Sequence, residues 1–374
     1  MEIQMVDLKN QYLKIQKEIK QEIDKVLFSA QYIKGKQVAE LEQKLKEYLN
    51  VRHVITCANG TDALLISLMS LGLKPNDEVI CPSFSFIASA EVIALLGLRP
   101  VFVDTDYDSF NVTKENIRQA ISVKTKAIIP VHLFGQGAEM EDIINLAGRY
   151  DLYVIEDNAQ SFGTDYIFSD KTTKKLGTIG DIGCTSFFPT KNLACYGDGG
   201  AVFTNNDDLA EKIRLIANHG AKQKYHNECI GVNSRLDTLQ AAILNVKLQH
   251  LEGYLKERKK VAQRYDQGLT DLKQIILPTK QPYSTHTYNQ YTIKVLDNKR
   301  EELQYFLKQK GVPTAVYYPK ALHEQTALAI VSRQGNEMTN TDKLCSEVLS
   351  LPIHTELSTE QQDYIIENIK QFFN

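Results

Sequence analysis

Apolar positions along the chain fall into two rhythms. From residue 8 to 30 they recur three and four apart, at Tyr12, Ile15, Ile19, Ile23, Val26 and Leu27, which predicts an amphipathic helix. Gly35 interrupts that spacing, and Val38 to Tyr48 predict a second helix. Neither carries an evident chemical group, so both read as packing elements. From 51 to about 205 the rhythm changes, and short apolar runs alternate with helical segments. The runs at 53–57, 78–81, 100–103, 126–131, 152–155, 182–187 and 200–204 predict seven strands. The stretches 61–71, 86–96, 113–121, 138–149 and 207–217 predict the helices between them. Such alternation predicts an α/β fold, with a mainly parallel sheet covered on both faces.

Residues 165–181 show neither period and read as a surface excursion. A loop from 218 leads into a long helix that runs to about 266. Beyond it the pattern predicts strands at 288–295 and 311–319 and helices at 299–310, 341–349 and 359–372, a small α+β lobe. On this reading residues 1–250 form a large domain that includes the N-terminal helices, and 251–374 form a small C-terminal domain.

Two stretches of the large domain carry chemistry. In SFFPTKNLACYGDGG (186–200), Lys191 follows a buried strand, in a loop with glycines at 197, 199 and 200. Taken alone it is an ordinary solvated lysine beside a tight turn. A partly desolvated lysine, however, has a lowered pKa and attacks carbonyls as the free amine. In LYVIEDNAQ (152–160), Glu156 and Asp157 fall at the carboxyl end of a strand, where ligands bind in open α/β sheets. Alone, Asp157 reads equally well as a helix N-cap. A buried aspartate needs a cationic partner, and the protonated pyridine nitrogen of pyridoxal phosphate is one that also suits a carbonyl-linked lysine. A third stretch, CANGTDAL (57–64), turns at Asn59 and Gly60 into a helix whose first N–H groups suit a phosphate.

Composition narrows the remaining classes. Of 374 residues, 43% are hydrophobic and 24% charged, as in soluble globular proteins. A net charge of −3 gives no basic footprint for nucleic acid. No apolar run approaches a membrane span, and MEIQMVDLKN lacks a signal-peptide pattern. Cys57, Cys81, Cys184, Cys195, Cys229 and Cys345 are scattered without C-x-x-C spacing, which predicts reduced thiols in a cytoplasmic protein. His219 and His226 lack metal-ligand spacing, so no metal is expected.

The pairing of VIEDNAQSFG (154–163) with TSFFPTKNLACYGDGGAVFTN (185–205) resembles the DegT/DnrJ/StrS nucleotide-sugar aminotransferases, pyridoxal-phosphate enzymes of the aspartate aminotransferase fold (fold type I). The resemblance runs from IQMVDLKNQY (3–12) through CANGTDAL and GVNSRLDTLQAAIL (231–244) to LPIH (351–354), essentially the whole chain. It implies that Lys191 bonds the cofactor covalently and, once displaced by the amino donor, acts as general base. It implies Asp157 on the pyridinium nitrogen and Gln160 near the ring hydroxyl. Gly60, Thr61, Asp62 and Ser186 would cradle the phosphate. Phe86 would stack on the ring, although a core phenylalanine at a strand-to-helix junction fits that position too. Asn233 would reach the cofactor phosphate of a neighbouring subunit and Arg235 its sugar substrate, which implies a homodimer with shared sites.

The resemblance further implies glutamate as donor. It points to a UDP-linked 2-acetamido-3-keto sugar as acceptor, in surface polysaccharide (lipopolysaccharide, O-antigen) biosynthesis. Enzymes acting on the 3-keto-glucuronate sugar are similar around Lys191 and Arg235, and they have histidine where AVYYP carries Tyr317, beside Tyr318. That departure leaves a neutral UDP- or dTDP-linked 3-keto hexose as the alternative. A sugar dehydratase of the same fold has histidine in place of the lysine, which Lys191 argues against. A non-catalytic binding protein is the third class, and the intact lysine, aspartate and glycine turn argue against it.

Overall fold

The computed structural model describes residues 2–373. Its large sheet is built from the seven apolar runs: β1 (His53–Cys57), β2 (Glu78–Pro82), β3 (Arg99–Val103), β4 (Thr125–Ile128), β5 (Tyr153–Asp157), β6 (Ile182–Ser186) and β7 (Gly200–Thr204). They lie side by side in the order β1-β7-β6-β5-β4-β2-β3. Strands β2 to β6 pair in parallel, and β7 runs antiparallel to both its neighbours, β1 and β6. Arg333–Gln334 adds a short parallel strand beyond β3, making the sheet eight-stranded. Two residues are too few to leave a period-2 signal in the sequence.

Successive residues of a strand face opposite sides. Val79 and Cys81 join Ile55, Ile155, Ile182 and Val202 in one core, under the helices Gly60–Ser70, Ala88–Leu95 and Asp207–Ile216. Ile80, Val101, Val103 and Val154 point the other way, onto Ile117 and Ile143 of the helices Lys114–Ala120 and Met140–Tyr150. Val54, Ala201 and Phe203 fill a third core with Leu41 and Leu45 of the Lys36–Leu49 helix. Burial on both faces is the reason these strands read as continuous apolar runs.

The Thr238–Leu269 helix serves three cores, and in one of them Ile243 and Val246 meet Ile15 and Ile19 of the Leu8–Ser29 helix. Ala241, Leu244 and Leu251 pack on the large sheet, while Val261, Ala262, Tyr265 and Leu269 pack in the small lobe. The lobe is an antiparallel sheet of Ile275–Ile276, Tyr291–Val295 and Val348–Leu351, with the helices Arg300–Gln309 and Thr359–Phe373. At the junction Arg258 is buried, and its guanidinium donates to the carbonyls of Tyr288 (3.1 Å), Asn289 (3.4 Å) and Ile353 (3.2 Å). Burial pulls its pKa down to about 10.

Three expectations need correction. Residues 165–181 are not merely a surface excursion: a hairpin of Asp165–Ile167 and Thr173–Lys175 leads into Leu176 and Gly177, which are buried. The 311–319 stretch is no strand. Pro313 lacks an amide donor, and only Ala315 pairs, exchanging both backbone bonds with Ser350. The expected 341–349 helix is Thr339–Glu347, and Val348 already belongs to the lobe's sheet. Among the described residues no helix is long and apolar enough to cross a membrane. The six cysteines are unpaired, five of them buried.

Candidate active site

The chemistry-bearing residues leave the carboxyl ends of β1, β2, β5 and β6, as expected for an open α/β sheet. Strand alternation sends Glu156 and Asp157 to opposite faces. The buried Glu156 carboxylate accepts the N–H groups of Gly177 (2.8 Å), Ile179 (2.6 Å) and Gly180 (2.7 Å), which pins the returning end of the 165–181 excursion. It also meets His132 Nε2 at 2.9 Å. His132 Nδ1 accepts the Ala138 N–H (3.2 Å), so the network assigns the imidazole proton to Nε2, donating to Glu156. Sequence reasoning missed His132. Its place right after β4, in PVHLFGQG, was the available signal.

Asp157 is buried on the other face, and its Oδ1 accepts the Ala159 N–H at 3.1 Å. Burial pushes its carboxyl pKa up, while that hydrogen bond and the charge of Lys191 pull it back. Lys191 follows β6 in a turn closed by its own N–H on the Phe188 carbonyl (2.9 Å). Burial lowers its ammonium pKa, and Asp157 opposes that shift. Burial thus works against the charge on both groups, and on Lys191 it favours the free amine.

Gln160 is buried three residues beyond Asp157. Its Oε1 accepts the Phe134 N–H (2.8 Å) and its Nε2 donates to the Tyr318 hydroxyl (3.0 Å), so the amide orientation is fixed by both ends. Desolvation raises the Tyr318 pKa, keeping it a neutral phenol. Phe84 packs edge-on against Tyr318, ring centroids 5.9 Å apart. Phe86 is not the core phenylalanine its position also allowed: it is 57% exposed, whereas Phe84 is 1% exposed.

The Gly60–Ser70 helix starts against the ends of β6 and β7. A Cβ on Gly60 would sit 2.6 Å from Ser186 Cβ, and one on Gly200 would sit 2.4 Å from the Asn59 carbonyl oxygen, so only glycine fits at either place. Asn59 caps the helix, its side chain accepting the Asp62 N–H at 2.8 Å, and its carbonyl accepts the Ala63 N–H. Of the backbone donors in Gly60, Thr61 and Asp62, those of Gly60 and Thr61 therefore stay open, next to the Ser186 hydroxyl. A glycine-lined cradle with two open N–H groups and a hydroxyl, a buried aspartate and a desolvated lysine fit the phosphate, ring nitrogen and aldehyde of pyridoxal phosphate.

Asn233 and Arg235 border the cradle on its outer side, where the Ser234 hydroxyl between them accepts the Ala58 N–H at 3.1 Å. With Ile33, Ala58, Asn59 and Asp198 they line a recess of about 510 Å³. Tyr317 and Tyr318 sit elsewhere, against the cluster of Phe84, Phe110 and Phe134. Within one chain, among the described residues, no hydrogen bond or ring contact joins Arg235 to either tyrosine.

Residues 13–370 match the DegT/DnrJ/EryC1/StrS aminotransferase family. The chain is 47% identical over 357 residues to the UDP-2-acetamido-2-deoxy-3-oxo-D-glucuronate aminotransferase of Pseudomonas aeruginosa, covering 96% of each protein. It is 41% identical to the UDP-N-acetyl-3-dehydro-alpha-D-glucosamine 3-aminotransferase of Acidithiobacillus ferrooxidans, covering 96% of this chain and 95% of the relative. Among solved structures, a DegT/DnrJ/EryC1/StrS aminotransferase from Brucella abortus superposes with a TM-score of 0.94 at 42% identity, covering 100% of both chains. The chain therefore belongs to the DegT/DnrJ/EryC1/StrS aminotransferase family, with the aspartate aminotransferase fold and pyridoxal 5′-phosphate as cofactor.

Proposed function

We propose that this aminotransferase moves an amino group from glutamate to carbon 3 of a UDP-linked 2-acetamido-3-keto sugar, with the 3-keto-glucuronate as its substrate. The observation that carries the reading is the buried Asp157 and the desolvated Lys191 at the carboxyl ends of the neighbouring strands β5 and β6, in a chain that matches the glucuronate enzyme along 96% of its length. Pyridoxal phosphate, when bound, supplies the electron sink for the carbanion formed at the donor's α-carbon. Lys191, with its ammonium pKa lowered by burial, takes that proton as the free amine and returns it. Asp157 would keep the ring nitrogen protonated, and the second hydrogen of Gln160 Nε2 would be available to the ring oxygen. The open N–H groups of Gly60 and Thr61, with Ser186, hold the phosphate, and Phe86 offers its exposed ring as a stacking face.

The enzyme is read as a homodimer with shared sites. Leu27 (49% exposed), Phe28 (95%), Tyr32 (47%) and Ile33 (45%) put four large apolar side chains on the surface within seven residues. Ile33 lines the same recess as Asn233 and Arg235. Single exposed apolar residues are ordinary, but a cluster bordering a polar recess suits a covered face. A second copy seated there brings Asn233 and Arg235 to its partner's cofactor phosphate and sugar. The setting is a cytoplasmic step that supplies amino sugars for a surface polysaccharide.

Tyr317 favours a second reading, a neutral 3-keto hexose, because its hydroxyl offers a sugar carboxylate no charge. The deciding measurement is kcat/KM for the UDP-3-keto-glucuronate and the neutral UDP-3-keto sugar, in wild type and Tyr317→His. The wild type is expected to prefer the uronate, with Arg235→Ala erasing that preference. A wild type faster on the neutral sugar, with Tyr317→His shifting preference toward the uronate, establishes the second reading.

A further inference from the structure

We infer that His323 is a positioning residue, acting through Ser83 to hold the two segments that face cofactor and sugar. Ser83 lies just past β2, fully buried, and its own N–H donates to the Val103 carbonyl at 2.9 Å, so the sheet holds it. Its hydroxyl is hydrogen-bonded to His323 Nδ1 at 2.7 Å across 240 residues of sequence, with the tautomer setting which of the two donates. The His323 N–H donates back to that hydroxyl (3.3 Å), and the Leu322 N–H donates to the Ser83 carbonyl (2.9 Å). The other ring nitrogen, Nε2, points toward Asp342 Oδ1 at 3.6 Å. One ring nitrogen of His323 and a carboxylate oxygen each of Glu324 and Asp342 lie within 4.8 Å of one another.

What this latch joins gives it a role. Ser83 precedes Phe86 by three residues, and His323 follows Tyr318 by five. Phe84 packs on Tyr318 between them, so the segments 83–86 and 317–323 run side by side, tied at the latch and at the ring contact. Tyr318 in turn receives the Gln160 amide. One serine thus fixes the Phe86 loop relative to the tyrosine pair and, through Tyr318, the orientation of Gln160. Misplacing such groups by an ångström costs up to about a hundredfold in rate. The inference rests on the proposed reading that Phe86 faces the cofactor and Tyr317–Tyr318 the sugar.

The test uses the full chain loaded with pyridoxal phosphate. Ser83→Ala and His323→Leu are each expected to raise KM for the keto-sugar about tenfold and to shift the visible absorption of the bound cofactor. His323→Asn, whose amide oxygen can take the place of Nδ1, is expected to restore both. The Ser83→Ala/His323→Leu double variant should be no worse than either single. A melting temperature that falls while KM and the spectrum stay at wild-type values overturns the inference, since that marks a purely structural hydrogen bond. If His323→Leu does not fold, Ser83→Ala and His323→Asn decide by the same readouts. Phe86→Ala and Tyr318→Phe serve as controls. If neither changes KM or the spectrum, the underlying reading fails and the inference with it. If they do while Ser83→Ala does not, the latch alone is wrong.

Discussion

Replacing Asp157 by asparagine is expected to leave the protein folded and pyridoxal phosphate bound, and to cut turnover by about two orders of magnitude or more. Asparagine has nearly the same shape. Its Oδ1 can still accept the Ala159 N–H that Asp157 holds at 3.1 Å, so the local turn survives. What is lost is the negative charge. Asp157 is buried, and burial already raises its pKa, so the carboxylate is costly unless a cation sits against it. A protonated ring nitrogen is such a cation, and a neutral amide cannot keep it protonated. The substitution separates chemistry from local structure: no helix follows Asp157 for it to cap, only turns that lead to the Asp165–Ile167 strand, and asparagine keeps the Ala159 contact. Near-normal turnover in Asp157→Asn, measured with the cofactor loaded, would leave Asp157 only its turn with Ala159 and remove it from the chemistry.

Mixing two inactive variants is expected to regenerate activity. Lys191→Ala removes the amine, and Arg235→Ala removes a planar, bidentate donor to carboxylate or phosphate, so each alone should be almost inactive. In an equal mixture of exchanging homodimers, half the dimers are hybrids. If Arg235 serves the partner's site, each hybrid holds one site with both defects and one with neither, so about a quarter of wild-type activity should return. If Arg235 serves its own chain, every hybrid site carries one defect and nothing returns. The single-chain geometry motivates the first outcome, since Arg235 lines an open recess bordered by exposed Ile33 and touches neither Tyr317 nor Tyr318. Subunits shown to exchange without any regained activity would refute the shared site.

Much of the fold was legible because its strands are buried on both faces. Ile182–Ser186 and Tyr153–Asp157 announce themselves as apolar runs, and the groups at their carboxyl ends, Asp157 and Lys191, follow from where such runs stop. Gly60 and Gly200 were legible as a turn, but not the reason for them, which is that each abuts a strand or turn more than a hundred residues away. Partnerships of this kind leave no local pattern. Ser83 and His323 read as an ordinary strand-end serine and a loop histidine, and only the fold places them 2.7 Å apart. His132 and Glu156 share that fate. The stretch 311–319 misled for the opposite reason: Val316, Tyr317 and Tyr318 have strand-like composition, yet they turn toward Phe84 and Phe110 instead of pairing in a ladder.

The central claim is that Lys191 is the residue bonded to the cofactor. Borohydride reduction of the pyridoxal-phosphate-loaded protein, followed by digestion and peptide mapping, tests it directly. The account predicts a phosphopyridoxyl group on Lys191, in the peptide containing SFFPTKNLACY, and its absence after prior exposure to excess glutamate. An adduct on any other lysine, or none while the cofactor remains bound, would contradict it.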